Sequence, residues 1–137
     1  MVGQLLIACT IFCDTASAQC DKKQVLISSK TEYLDQNDVL KKTVDETTRI
    51  EINAKSITIS PADKTMIGVI KSVSCNWKTA FKEGKTEFKA DFEDDGETRP
   101  VKIILEGKGG KISFLVILEK EEDKRIRVWA DSFEELK

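Results

Sequence analysis

The chain reads as an all-β protein, with about eight antiparallel strands in an up-and-down barrel or half-barrel and a short C-terminal helix. A two-sheet β-sandwich is the alternative. Three observations lead there. Apolar residues recur at every second position in short runs, the period of a strand with one buried face. Clusters of Asp, Asn, Gly and Pro separate those runs. No stretch holds a helical period long enough to cross over between parallel strands.

Val25–Leu34 suggests the first strand, with Val25, Ile27 and Tyr33 on one side, and Asp35-Gln36-Asn37-Asp38 is a turn by composition. Val39–Glu46 has no clear period and reads as a loop or irregular edge. Ile50 and Ile52, then Ile57 and Ile59, alternate with polar residues on either side of Asn53-Ala54-Lys55, which predicts a hairpin. Pro61-Ala62-Asp63-Lys64 turns into the longest run, Met66–Trp77, read as the central strand. Its odd positions Ile67, Val69, Val73, Cys75 and Trp77 are interrupted only by Lys71, so that face is expected in the core.

After a polar connection, Thr86, Phe88, Ala90 and Phe92 alternate with charged residues up to the turn Asp94-Asp95-Gly96. Val101, Ile103 and Leu105 form the next strand, with Pro100 at its start, where a missing N–H costs least. Gly107–Gly110 turns again. Ile112, Phe114, Val116 and Leu118 then face one way and Leu115 and Ile117 the other, which predicts a strand buried on both faces near its middle. Glu121–Lys124 is a charged turn, and Ile126, Val128 and Ala130 make the last strand. Asp131-Ser132-Phe133-Glu134 has an N-cap residue followed by Glu, the pattern of a short terminal helix. Sequential pairing through short connections predicts three antiparallel neighbours: Thr48–Asn53 with Ser56–Ser60, Thr86–Phe92 with Val101–Glu106, and Val101–Glu106 with Lys111–Glu119.

Residues 1–18 read as a secretory signal peptide ahead of a single β domain, 19–137. The segment from Leu5 to Cys13 is apolar or small, too short to span a bilayer, and Ala16-Ser17-Ala18 is a small-x-small cleavage pattern. Gln19 before Cys20 argues against lipid attachment at that cysteine. Cleavage after Ala18 leaves two cysteines, Cys20 and Cys75, in an export route where disulfides persist. A bridge between them would close a loop of roughly 55 residues and add about 4 kcal/mol. A buried thiol at Cys75 is the favoured reading, because Cys75 shares a face with Val73 and Trp77 and packs well as a small apolar residue.

Composition removes several activities. Of 137 residues, 34% are charged and 40% hydrophobic, with a net charge of −2, so the basic stripe that nucleic acids require is missing. There is no histidine, so imidazole triads and His-type zinc sites cannot be built. No cofactor and no catalytic residues are expected.

Four local patterns have plainer readings. Gly84-Lys85-Thr86 ends like a phosphate-binding loop, but Thr79 stands where its first Gly belongs and a strand pattern follows. Asp91, Glu93, Asp95 and Gly96 mimic half a calcium loop, but Lys102 stands where the bidentate Glu should be, so no metal site is expected. Gly107–Lys111 could form an anion nest and reads better as a tight turn. Trp77 faces the core, whereas Trp129, flanked by arginines on alternate positions, is the better exposed aromatic. With Leu115 and Ile117 it forms the candidate interaction surface.

The segment Thr15-Ala16-Ser17-Ala18-Gln19, with Cys75-Asn76-Trp77-Lys78 and Gly84-Lys85-Thr86, resembles small uncharacterised exported proteins of Bacteroidetes. That resemblance implies export and no activity. The strand count and terminal helix are similar in plan to lipocalin-like barrels, without the Gly-x-Trp that lipocalins carry near their first strand. Together these readings lead to a periplasmic or extracellular, non-catalytic binding module for an apolar ligand or partner protein. Its mature chain is expected to lack a transmembrane segment. The alternative is a structural subunit of a cell-envelope assembly.

Overall fold

The structure is a computed structural model that describes residues 19–94, 96–121 and 123–136. The leader, residues 1–18, and Asp95 of the acidic turn lie outside the described residues. Nine strands follow one another: β1 (Gln24–Leu34), β2 (Leu40–Ile52), β3 (Ser56–Pro61), β4 (Met66–Thr79), β5 (Glu83–Asp94), β6 (Glu97–Lys108), β7 (Lys111–Leu118), β8 (Arg125–Trp129) and β9 (Ser132–Glu135). Each of β1 to β7 pairs antiparallel with the next, and β8 pairs with β1, closing an eight-stranded barrel. Closure removes the free edges that an open meander would expose. All three predicted hairpin pairings are present.

Three expectations are corrected. First, Val39–Glu46 is no loop: all but Val39 belongs to β2, which pairs with β1 as far as Leu40. Its residues are mostly exposed, so no apolar period marks it, and the backbone ladder to β1 holds it as strand. Second, the terminal helix is absent. Asp131 N donates to Ile27 O and Leu136 N to Lys23 O, with β9 between them paired to Gln24–Ile27. One helical turn is a costly nucleus. The edge of β1 offers instead a full ladder and an aromatic seat for Phe133. The short helical turn lies at the other terminus, over Gln19–Asp21.

Third, the odd face of the central strand is not uniformly inside. Gly68 and Ile70 stand opposite Phe92 and Ala90 on β5, so even positions face inward there. The register shifts between Ile70 and Ser72, with Lys71 as the extra residue. Beyond it Cys75 and Trp77, both odd, stand opposite Thr86 and Gly84 and face inward. Ile67 and Val69 are therefore 60% and 54% exposed, and Val73, past the end of β3, is also 54% exposed.

β1 has a similar irregularity. Ser29 and Lys30 both point out, so Tyr33 reaches the interior while Val25 and Ile27 share the outer face. Ser28 Oγ donates to Lys30 O at 2.9 Å and accepts from Lys30 N at 3.3 Å, which satisfies the interrupted ladder. The core fills the barrel around Leu26, Ile50, Ile57, Ile103, Leu105 and Phe114, each no more than 2% exposed. On β7 only Ile112 and Phe114, on the inward face, are fully buried. Leu115 and Ile117 are half-buried, against the expectation of two buried faces.

Candidate functional site

An up-and-down barrel alternates its connections between two ends, and here the ends differ. The connections β2–β3, β4–β5 and β6–β7 lie at one end, which is plugged. Trp77, 4% exposed, has its ring 6.0 Å from Phe133, and Phe133 lies 4.9 Å from Phe81. Gly84 makes room for the indole side: it has a φ of 151°, and a Cβ there would lie 2.4 Å from Trp77 Cα. Trp77 Nε1 donates to Thr86 Oγ1 at 2.6 Å, and Thr86 Oγ1 donates to Cys75 Sγ at 3.4 Å, so the buried polar atoms are satisfied.

The N-terminal turn closes this floor. Gln19, 2% exposed, accepts from Phe81 N at 2.6 Å through Oε1 and donates to Gln24 Oε1 at 3.5 Å. Cys20 is joined to Cys75 in a disulfide, their Cα atoms 6.1 Å apart. This overturns the favoured reading of a free buried thiol. The face shift at Lys71 turns Cys75 toward the floor, where the Gln19–Asp21 turn packs.

The other end is open. The turns Asp35–Val39 and Pro61–Thr65, with the ends of β5, β6, β7 and β8, frame its mouth. Asp35 Oδ1 accepts from Asn37 N at 2.8 Å and Val39 N at 3.0 Å, fixing the first turn. The Val39 bond, then the Asn37 bond, hold its carboxyl below the usual carboxylate range. Lys64 N donates to Pro61 O in the second turn, and Ala62 N ties that turn to Thr47 O.

Between these turns lies a cavity of about 560 Å³, within the range of small-molecule sites. Its deep wall is apolar: Ile50, Phe92, Val101, Phe114 and Val128. Val116, Leu118 and Ile126 continue that wall upward on β7 and β8. Below the rim the polar lining is on β1 and β2, where Thr31, Glu46 and Thr48 face the space and Tyr33 stands nearer the mouth. Thr31 Oγ1 donates to Glu46 Oε1 at 3.3 Å. Thr48, 3% exposed, has a buried hydroxyl with no hydrogen-bond partner. The only other such side-chain atom among the described residues is Arg125 Nε, on the outer face, where Nη1 of the same residue binds Asp38 at 3.0 Å. At the rim, Lys64, Glu93 and Arg99 alternate in sign.

The candidate interaction surface is elsewhere. Leu115, Ile117 and Trp129 lie on the outer face of β7 and β8, with Arg127 opposite Leu115 and Arg125 opposite Ile117. Trp129 is 42% exposed, but it is engaged: Nε1 donates to Glu32 Oε1 at 3.1 Å, and the Arg127 guanidinium lies 5.1 Å from its ring centroid. Arg127 Nε donates to the same Glu32 oxygen at 2.8 Å. The structure thus brings these three residues to one face and interleaves them with cations, leaving no bare patch.

Sequence reasoning missed the cavity residues. Thr31 and Thr48 look like ordinary strand positions, and Glu46 falls in the segment that reads as a loop. The one available signal was polar residues at inward positions of β1 and β2, and the two register shifts hid which positions are inward. Gly84-Lys85-Thr86 runs along β5, where the sequence suggested a polar connection up to Lys85, and Gly109-Gly110 forms a two-residue turn with both φ positive, as its plainer reading requires. Among the described residues no His, Cys, Asp or Glu side chains gather as a metal site, and no helix is long and apolar enough to cross a membrane. The chain matches no family model, no curated protein and no solved structure.

Proposed function

We propose that this protein is an exported, non-catalytic binding module that holds a small apolar ligand in the open end of its barrel. The observation that carries the reading is the asymmetry of the interior: a sealed floor and a cavity of about 560 Å³ at the mouth, walled by aliphatic and aromatic side chains. Apolar area removed from water is worth roughly 25 cal/mol per Å². A wall already held open by the barrel adds little ordering cost to that gain. The leader pattern in residues 1–18 and the Cys20–Cys75 disulfide support an oxidising compartment, periplasmic or extracellular. The alternative, an envelope subunit docking through Leu115, Ile117 and Trp129, has less support because arginines and Glu32 already engage that face.

The test uses the uncharged fluorophore N-phenyl-1-naphthylamine. The expected result is saturable one-to-one binding with a blue-shifted emission, abolished by Val116→Trp, which fills the cavity without disturbing the floor. Absence of saturation, or binding that survives Val116→Trp, overturns the reading.

A further inference from the structure

We infer that the cavity selects an uncharged, hydroxyl-bearing amphiphile over the carboxylate of the same chain length, with Glu46 as the selecting group and Thr48 as its companion. The inference rests on the binding reading above and names its ligand class. Three inward residues carry the argument. Thr31, Glu46 and Thr48 form the polar wall of the cavity below its charged rim. The Thr31 hydroxyl donates to one Glu46 oxygen, so the carboxylate can accept further bonds but offers no donor. The Thr48 hydroxyl has no partner in the closed wall. A 120° step about χ1 carries a threonine's hydroxyl to the staggered position its methyl held, so this group can turn to a partner in the cavity without any change in the strand. A buried polar atom left unpaired is costly, and an arriving acceptor relieves that cost.

A ligand hydroxyl matches both groups. Its O–H donates to the Glu46 carboxylate, and its oxygen accepts from Thr48. A ligand carboxylate can accept from Thr48 but cannot donate, and it brings a second negative charge beside Glu46 in a half-buried, low-dielectric setting. Cations exist nearby, but Lys64 and Arg99 are exposed at the rim, where water screens them, and Glu93 and Glu97 stand among them. The half-buried charge therefore decides the preference.

The experiment displaces bound N-phenyl-1-naphthylamine with 1-decanol or with decanoate at pH 8, where decanoate is ionised. The expected result is half-displacement by decanol at a concentration at least tenfold lower than by decanoate. A purely apolar cavity would also favour the alcohol to some degree, so the variants decide. Glu46→Gln keeps the shape and removes the charge, and should narrow the preference at least fivefold. Thr48→Val should weaken decanol and decanoate alike, severalfold, because both accept from its hydroxyl. Equal displacement by both ligands, or an unchanged preference in Glu46→Gln, overturns this inference and leaves the binding reading standing. Failure of the probe to bind, or of both ligands to displace it, overturns both.

Discussion

The two ends of the barrel are built from the same strands and do opposite things. At the floor the buried side-chain polar groups have partners: Gln19 with Phe81 and Gln24, Trp77 with Thr86, Thr86 with Cys75. Three aromatic rings and a disulfide fill the space. At the mouth the inward positions carry Thr31, Thr48, Pro61 and Met66 where larger apolar side chains would have met across the axis, and a hydroxyl is left unpaired. Stability is concentrated at one end, and unfilled bonding capacity at the other. Sites of function are often where packing and hydrogen bonding are left incomplete.

The sharpest way to break this comparison is to cut the floor. Cys75→Ser should lower the unfolding free energy by about 4 kcal/mol, from the entropy a long loop regains in the unfolded chain. Urea unfolding reads that change, and probe affinity at the mouth should stay within about twofold. A collapse of affinity would show that the ends are not independent.

A glycine at each end gives a paired test. At Gly68 a Cβ would lie 2.5 Å from the Phe92 ring, and Phe92 lines the cavity. Gly68→Ala should cost about 2 kcal/mol by overpacking and weaken the probe roughly tenfold as the ring is pushed inward. Gly84→Ala meets the Trp77 backbone at a positive φ and should cost at least as much, with the probe unaffected. Thermal unfolding and probe titration of both variants separate the two effects.

Removing the unpaired hydroxyl should be the rare buried change that helps. Thr48→Val loses no hydrogen bond and should raise the unfolding free energy by about 1 kcal/mol while weakening decanol binding. A loss of stability would mean that the hydroxyl already has a partner.

The smallest effect concerns pH and the first turn at the mouth. The Val39 and Asn37 N–H groups hold the Asp35 carboxyl below its ordinary value, so the folded state binds this proton less readily than the unfolded one. The contribution is present at neutral pH, above the unfolded carboxylate range, and is lost as pH falls through the lowered folded value. Amide exchange at Asn37 and Val39 should show diminished protection, corrected for intrinsic rate, below about pH 4. Phe81 N at the floor is held by the uncharged Gln19 and should not respond. Asp35→Asn should remove the dependence.

What the sequence made legible was local. Alternation at Ile50 and Ile52, the Asn53 turn, whose Oδ1 accepts from Lys55 N and Ser56 N, and the Gly109-Gly110 turn each announce themselves within a few residues. What it hid was parity. One extra residue at Lys71 exchanges the faces of β4, so Ile67 and Val69 read as core and lie outside, and the bulge after Ser28 does the same to Tyr33. The disulfide was open on sequence because it depends on where the Gln19–Asp21 turn packs, a long-range fact. The cavity was illegible for a further reason: it is space between side chains from eight strands, and no single strand's pattern records it.

β9 pairs with β1 in the same register that β8 uses, with Gln24 opposite Glu135 as Thr31 is opposite Val128. The two short strands are therefore one line of chain, stepping across Ala130 and Asp131, and that line is the seam of the barrel. Across it Arg127 meets Glu32 from 95 positions away. All other strand neighbours are adjacent in sequence and can zip one hairpin at a time, but this seam cannot form until both termini are in hand. The entropy of closing so long a loop grows only slowly with its length, so the obstacle is less thermodynamic than kinetic. Up to that moment the nascent sheet is an open ribbon with two bare edges, able to pair with a second copy of itself. The last eleven residues of the seam, Arg125–Glu135, thus control when the chain stops being adhesive, and a chain that stalls before them would be caught in its most aggregation-prone form.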